Sequence, residues 1–417
     1  MIFFENFKCV TMEVVKMNYK KSLRRNIKLN YIFIFLNRLD LTQGVWMLYL
    51  ANKGLSLAKL GLLEGIFHIT SFFMEVPTGA VADIYGRKVS RTLGRAFFII
   101  SNIVLVLSTN FYLFALSFSI LAVSYNLESG AGEALLYDSL MELGEEKTYM
   151  KINGFNEMIL EISCIFALTL GGYLAHKNYV WPFALSAAFA GIALLESLLF
   201  QEPSIGRNKN LANIHPFKVF KDQTLDSFKI VKNTKKISLL IVFAEVMSVF
   251  GTSLFYYLQN YWKDSGLNEF RIGVIFAVSS LINAFVAPNV HKIEKLFKEH
   301  LLLIFLPIVT CICIWGISFT RYSYIFFIAV EIFETIMYIV TSDYLNKLIP
   351  SENRSTILSF QSMVFSFFMI FIFPLIGKIG DIFTLSTSFK FLGIASSIFA
   401  VLNIFITSSM EKNLYNR

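Results

Sequence analysis

Charge is scarce in this chain. Asp, Glu, Lys and Arg make up 16% of its 417 residues against 55% hydrophobic, a balance that excludes a soluble protein of this size. Polar interruptions are also few, so apolar runs of about 18–25 residues recur, each able to cross roughly 30 Å of hydrocarbon at about 1.5 Å per residue. Runs such as 301–314 lack the alternation of apolar and polar residues that a membrane β-barrel needs. Cysteine is rare: Cys9, Cys164, Cys311 and Cys313 show no metal-ligand spacing. Three of them lie inside apolar runs as small hydrophobes, which argues against both a disulfide and a metal site. His68, His176, His215, His291 and His300 are scattered, with no His-x-x-x-His pair, and no Gly-x-x-x-x-Gly-Lys-Ser/Thr phosphate loop occurs. Zinc-dependent chemistry and nucleotide hydrolysis therefore lack their sequence patterns. Residues 1–28 have no short apolar core before a small-residue cleavage site, so a removable signal peptide is not expected, and Met17 is an alternative start.

The expected fold class is an all-α membrane protein of twelve transmembrane helices. The spans fall near 29–51, 57–82, 92–109, 112–137, 152–174, 179–201, 237–261, 270–290, 300–319, 322–346, 355–377 and 386–409. An even number puts both ends on one face. Lys and Arg then set the orientation, because short cytoplasmic joints carry the excess. The face shared by the termini holds 28 of them, including four at 87–95, and the opposite face holds seven. Both termini are expected in the cytoplasm of a cell bounded by this membrane. The net charge of +8 reflects that topology, since the basic residues sit in joints rather than on one nucleic-acid-binding face. Residues 202–236 form the one long polar joint, with eight basic residues against three acids, expected to be partly helical at the membrane surface. The domains are then a cytoplasmic segment 1–28, a six-helix bundle 29–201, a linker 202–236, a second six-helix bundle 237–410 and a tail 411–417.

Between spans 2 and 3, Gly, Pro and charge concentrate in residues 75–91, expected to leave the membrane as a short loop, because Asp83, Arg87, Lys88 and Arg91 cannot share hydrocarbon. The spacing Gly79-x-x-x-Asp83-x-x-Gly86-Arg87-Lys88 resembles the loop between helices 2 and 3 of the major facilitator superfamily. With Glu75-x-Pro77 before it, the stretch also looks like the version in P-class tetracycline efflux proteins. A shift of 211 places Pro77 on Pro288, Asp83 on Glu294 and Arg87 on Lys298, so the two bundles are expected to be related by pseudo-symmetry. Two similar halves rocking about a midplane cavity are what alternating access requires. The resemblance implies that Asp83 latches onto the first turn of span 11, around 354–356, where the helix dipole favours an anion by roughly 0.3–2 kcal/mol. The two glycines allow close packing and a sharp turn.

Several polar residues fall inside the spans. Glu64, His68, Ser71 and Glu75 lie at i, i+4, i+7 and i+11, one narrow stripe of span 2 that cannot face lipid. They can relay protons, attract a cationic substrate or pair with Arg38 of span 1, although one Arg cannot neutralise two acids about 16 Å apart. Arg38 and Asp40 sit on different faces, so each needs a partner elsewhere. Span 4 has small residues at 129–132 that permit close helix contact. The family usually carries Arg four residues before its Gly-x-Gly-x-Ala, and this chain has Asn126 before Gly130-x-Gly132-x-Ala134. Glu128 and Glu133 are candidates for the missing role. Asp138, at the end of span 4, is placed to pair with Arg87 or Arg91 as part of the latch. In span 5, Glu157 and Glu161 precede Ser163-x-x-x-Ala167-Leu168-x-x-Gly171-Gly172, which keeps only the last two glycines of an antiporter pattern. The second half has fewer acids, Glu245, Glu331, Glu334 and Asp343, and many aromatics, including Phe255, Tyr256, Tyr257, Tyr338 and Phe365.

Acids in one half and aromatics in the other suit amphipathic or cationic organic molecules. Few Asn, Gln or Trp fall mid-span, so a sugar site is a poorer match. The resemblance implies a secondary transporter, working as a monomer without cofactor or metal and exporting small molecules such as drugs or tetracycline against protons. Its alternatives are a proton-coupled nutrient symporter and, remotely, an integral-membrane enzyme. The residues expected to couple protons or bind substrate are Glu64, His68, Glu75, Arg38, Asp40, Glu128, Glu133 and Glu161. Those expected to latch are Gly79, Asp83, Gly86, Arg87, Lys88 and Asp138.

Overall fold

The computed structural model describes residues 2–205, 235–297, 299–348 and 354–415. The first half comprises α1 (Ile2–Arg38), α2 (Trp46–Asn52), α3 (Leu57–Tyr85), α4 (Arg87–Leu107), α5 (Phe111–Glu128), α6 (Ala131–Leu143), α7 (Tyr149–Lys177) and α8 (Val180–Ser197). The second comprises α9 (Lys235–Asp264), α10 (Glu269–Val286), α11 (Val290–Leu296), α12 (Glu299–Phe319), α13 (Ser323–Leu348), α14 (Arg354–Ile382) and α15 (Leu385–Tyr415). Among the described residues, eleven helical stretches are long and apolar enough to cross a membrane. The twelfth span, expected as one helix over 29–51, is broken. The helix α1 stops at Arg38 and α2 starts at Trp46, so neither piece qualifies alone. α1 begins and α15 ends on one face, the terminal face; the opposite one is the far face.

The break in the first span has a local cause. The Asp40 carboxylate accepts from the Thr42 amide at 3.0 Å and the Thr42 hydroxyl at 2.5 Å, offering the backbone an alternative to the helix. In hydrocarbon the freed backbone groups need partners. The Leu41 amide donates to Ser186 Oγ at 2.9 Å, and the Gln43 carbonyl accepts from Gln259 Nε2 of the second half at 3.1 Å. The fourth span is also interrupted, between α5 and α6, where Gly130 takes φ +70°. The eighth ends in a 3-10 turn, Ala287–Asn289, at Pro288, whereas Pro77 sits inside the unbroken α3. Lys298, the expected counterpart of Arg87, lies outside the described residues.

Residues 75–91 are not a loop. The helix α3 runs on to Tyr85 and α4 starts at Arg87, leaving Gly86 alone, at φ +109°, to reverse the chain. That conformation is open chiefly to glycine. Gly79 needs no such freedom, because a Cβ there would meet nothing within 4 Å. The close approach expected of it is absent. The segment before the first span is not separate from the bundle: α1 is continuous through it, and Asn26 Nδ2 donates to Ser139 Oγ at 2.9 Å and to the Gln201 carbonyl at 2.7 Å. Of the linker, Ser204 and Ile205 are tied down by Glu142, while 206–234 lies outside the described residues.

The halves meet along two helix pairs. α3 crosses α14 through Gly61, whose Cβ position lies 2.7 Å from Pro374 Cα, and α7 crosses α10 through Gly172 against Gly273 Cα at 3.2 Å. At the far face, Asp381 of α14 accepts from the amides of Leu57 and Ala58 at 2.9 and 2.8 Å. It thus caps the first turn of α3, where free N–H groups favour an anion. Nearby, Glu269 of α10 takes Lys263 at 2.6 Å, His176 at 3.2 Å and the Tyr179 hydroxyl.

Small residues at these crossings admit neighbouring backbone, so adding one carbon there has a defined cost. A Cβ on Gly171 would run into the Leu41 carbonyl of the broken first span, whereas one on Gly191 would meet nothing within 4 Å. Gly171→Ala should lower the detergent-solubilised thermal midpoint, an overpacking cost of about 1–3 kcal/mol. Gly191→Ala should leave it unchanged.

Candidate functional site

The stripe on α3 is split among several environments. Glu64 and His68 pair with one another at 3.5 Å, both nearly inaccessible, and His68 Nδ1 lies 3.3 Å from Ser366 Oγ of α14. The two residues therefore sit in the seam between the halves, toward its far end, with Phe365 edge-on to the imidazole. Ser71 exchanges two hydrogen bonds with Asn126: its hydroxyl is 2.8 Å from Oδ1, and its carbonyl accepts from Nδ2 at 2.7 Å. At the family's usual Arg position, Asn126 thus fastens α5 to α3. Glu75 is half-buried, and no basic group pairs with its carboxylate among the described residues. None of the three charged groups reaches Arg38 within ion-pair distance.

Deeper on the terminal side, α4 supplies a ladder of buried guanidinium groups. Arg87, Arg91 and Arg95 are one turn apart each, and all three are buried. Arg87 pairs with Asp138 at 3.3 Å and more loosely with Asp83 at 3.9 Å. Arg91 holds Glu128 at 3.0 Å and Asn30 Oδ1 at 3.0 Å, with its guanidinium carbon 3.9 Å above the Phe33 ring. Glu128 is therefore spoken for. Arg95 lies within electrostatic reach of Glu128, Tyr125 and Asp40, and Tyr125 in turn donates to Asp40 at 3.0 Å. A buried cation does occupy the depth where α5 lacks one, but it comes from the neighbouring helix. By its position after Arg87 and Arg91, Arg95 counts as a joint residue; the i, i+4, i+8 spacing was the signal that it belongs inside.

The amides of Arg87 and Lys88 are capped by the two carboxylate oxygens of Glu202, each at 2.8 Å. Glu202, which follows α8, thus caps the first turn of α4. The side chains of 354–356, the expected partners of Asp83, lie outside the described ones.

The largest concentration of charge across the seam surrounds Arg38. Glu157 and Glu161 of α7 lie within its electrostatic reach, and Glu133 of α6 adjoins Glu157. Facing them from α13, Tyr338 senses Arg38, Glu133 and Glu157, while Glu331 faces Glu161. Glu334 adjoins Glu331 and Glu245 and hydrogen-bonds Ser248. A Cβ on Gly251 would collide with its carboxylate, so α9 keeps a gap for that acid. Glu245 accepts from Gln361 Nε2 at 2.6 Å. Arg38, Glu133 and Glu157 are exposed, and Tyr338 is 62% exposed, so this part of the seam is accessible where the far end is sealed. Six carboxyl groups from both halves thus line this part of the seam, and Glu157 and Glu161 among them lie within reach of the Arg38 guanidinium. Glu331 and Glu334 stand out in sequence only as intramembrane acids; their placement opposite Glu161 depends on how the halves dock. Among the described residues no group of His, Cys, Asp and Glu is arranged to hold a metal ion.

A profile of the Major Facilitator Superfamily matches residues 31–331. The uncharacterized MFS-type transporter YxaM of Bacillus subtilis (strain 168) is 25% identical over 382 residues, covering 88% of this chain and 91% of that protein. The quinolone resistance protein NorA of Staphylococcus aureus (strain Mu50 / ATCC 700699) is 24% identical over 188 residues, 45% of this chain and 47% of NorA. Among solved structures, a variant of the nucleoside transporter NupG superposes with a TM-score of 0.75 at 15% identity, covering 93% of this chain and 99% of that one.

The ladder on α4 is testable through its most buried member, Arg91, which is 1% exposed. Arg91→Ala leaves Glu128 without its counter-charge and should cost about 3–5 kcal/mol, read as a large drop in thermal midpoint. Lys88→Ala, which removes only a solvent-exposed contact to the Leu198 carbonyl, should change stability by less than about 0.5 kcal/mol.

Proposed function

The chain belongs to the Major Facilitator Superfamily, a family of transporters rather than enzymes, and on that premise we propose that it exports amphipathic or cationic small molecules in exchange for protons. The carrying observation is the acid-rich seam, in which carboxyl groups from both halves gather about the exposed Tyr338 ring while Arg38 lies within reach of Glu157 and Glu161. A positively charged organic molecule would find there both counter-charge and an aromatic face. The partial likeness to NorA, a quinolone resistance protein, and the helix 2–3 stretch that looks like that of tetracycline efflux proteins support export of such compounds. The bias of 28 basic residues against seven supports a cytoplasmic terminal face in the cytoplasmic membrane, and hence a seam accessible from the cytoplasm.

Two places are suited to carry the coupling proton. Glu75 has no basic partner among the described residues, and Glu161 faces Glu331 across the seam. The seam pair is favoured. It lies near the middle of helices α7 and α13 and draws on both halves, where a group must be to meet each side in turn. A carboxyl group placed among other acids in low dielectric exchanges protons more readily near neutrality than one bridged to Arg. Glu64, engaged by His68, and Glu128, engaged by Arg91, then serve in packing rather than coupling. Asp83 and Lys88 with the Arg87–Asp138 pair and the Gly86 turn form the terminal-face latch, closed in the alternate state.

The test uses inverted membrane vesicles with an imposed proton gradient and ethidium as the cation. The intact chain should accumulate ethidium against its gradient. Glu161→Gln or Glu331→Gln should abolish accumulation while preserving protein level and ethidium exchange, since binding survives and proton linkage is lost. If both variants pump at the normal rate and Glu75→Gln does not, the proton site moves to α3. If the intact chain moves no ethidium but rescues growth on a nutrient, the export reading fails.

A further inference from the structure

The last turn of α8 carries a buried acid, Glu196. It shares a helix face with Ala193, three residues before it, and Phe200 follows just beyond the helix end. Ala193 and Phe200 pack into an apolar cluster with Leu29 and Phe33 of α1 and Leu135 of α6. Glu196 is 8% exposed, and both of its carboxyl oxygens are sealed from solvent with no hydrogen-bond partner. Nearby donors are engaged elsewhere. The Ser197 hydroxyl donates to the Leu194 carbonyl at 2.6 Å, and the Thr92 hydroxyl to the Lys88 carbonyl at 2.9 Å. Lys88 of α4 and Arg25 of α1, exposed bases at this end, donate to the Leu198 and Leu199 carbonyls. Arg95 lies beside Glu128, Tyr125 and Asp40, and from α7 the Asn156 amide is held by Asn30. Arg91 is the base within electrostatic reach of Glu196, and its guanidinium lies over both the Phe33 and Phe200 rings.

A carboxylate closed off in apolar surroundings without a donor is unstable against the neutral acid, which needs far less solvation. Arg91 does not supply the missing charge in this conformation, because it holds Glu128 at 3.0 Å and Asn30 Oδ1 at 3.0 Å. Glu128 is the acid better placed to do without it. Its side chain is 17% exposed, and it ends α5 just before the break at Gly130, which takes φ +70°. Two acids thus stand on either side of one guanidinium. One is sealed in the bundle, and the other borders solvent at an interruption of its helix.

We propose that Glu196 is a proton-binding site of the first bundle, loaded and occluded in this conformation, and that it empties when Arg91 turns from Glu128 to Glu196. In that step the Glu196 O–H bond breaks, its proton passes to water at the terminal face, and the new carboxylate takes the guanidinium. Glu128, ionised throughout, is left to solvent. The site lies within one half and shares no residue with the seam around Glu161 and Glu331, so it stands apart from the transport reading.

Infrared difference spectra of the purified full chain in detergent at neutral pH separate a protonated carboxyl from a carboxylate by their stretching bands. The unmodified chain minus Glu196→Gln should show a protonated-carboxyl band and no carboxylate band. In a Glu128→Gln background, where Arg91 has lost its acid, the same subtraction should show a carboxylate instead. A carboxylate in the first subtraction overturns the loaded site, and a protonated carboxyl in the second overturns the Arg91 turn. Should Glu128→Gln fail to fold, Glu128→Asp, its carboxylate one carbon shorter, takes its place with the same two outcomes. The thermal midpoint gives an independent reading. Unfolding frees Glu196 to ionise, so the unmodified chain should lose stability relative to Glu196→Gln as pH rises from mildly acid to neutral. A difference that stays constant over that range would also overturn the assignment.

Discussion

In hydrocarbon a backbone N–H or C=O that leaves a helix has no water to turn to, and each orphan costs several kcal/mol. The break at residues 39–45 places that demand near the middle of the first span, and much of the surrounding structure answers it. Asp40 closes the turn through Thr42, Ser186 takes the Leu41 amide, and Gly171 leaves room for the Leu41 carbonyl. Gln259 supplies the Gln43 carbonyl from across the seam, so one of the groups satisfying the break belongs to the other half. A rocking motion that parted the halves at this level would have to find that carbonyl another donor. The unwound stretch is thus tied to the relative position of the two bundles.

The same demand governs helix ends. Asp381 caps α3 at the far face, and Glu202 caps α4 at the terminal face. The first joins the halves; the second fastens the start of the linker to the bundle it leaves. Charge placed at a helix N-terminus favours the capped arrangement, and where the acid and the helix belong to different halves, that preference becomes a preference for one conformation. The Glu269 cluster does comparable work at the other seam pair, where Lys263, His176 and Tyr179 converge on one buried carboxylate.

Buried basic groups fix the inside of the first bundle. Arg91 is held by an acid, an amide and two aromatic rings, and Arg95 sits beside Tyr125 and Asp40, which links the α4 ladder to the break in the first span. Arg87 and Arg91 are each compensated by an acid, Asp138 and Glu128. At the seam charges are not so matched: carboxyl groups from α6, α7, α9 and α13 gather there, and Arg38 lies within reach of Glu157 and Glu161 of α7. That contrast between a neutralised scaffold and an unbalanced seam is the physical ground for separating residues that hold the fold from residues free to act.

The all-α membrane class and the positions of the long apolar helices were legible from the sequence, because length in hydrocarbon is a local property that each segment carries by itself. The turn at Gly86 and the intramembrane acids were legible for the same reason. The break at Asp40 was not, since 29–51 is apolar enough to read as one helix and only Ser186, Tyr125 and Gln259, distant in sequence, make the unwound form tenable. The continuity of α3 through residues 75–85 also ran against a local reading that weighed glycine and charge above helical persistence. Pairing lay beyond the sequence altogether. Glu64 with His68 is a one-turn neighbour, but Glu161 opposite Glu331, Arg95 beside Asp40 and Asp381 on the first turn of α3 join residues that no periodicity relates. Composition and periodicity determined which side chains must avoid lipid; only the docking of helices decided which of them neutralise one another and which remain available at the seam.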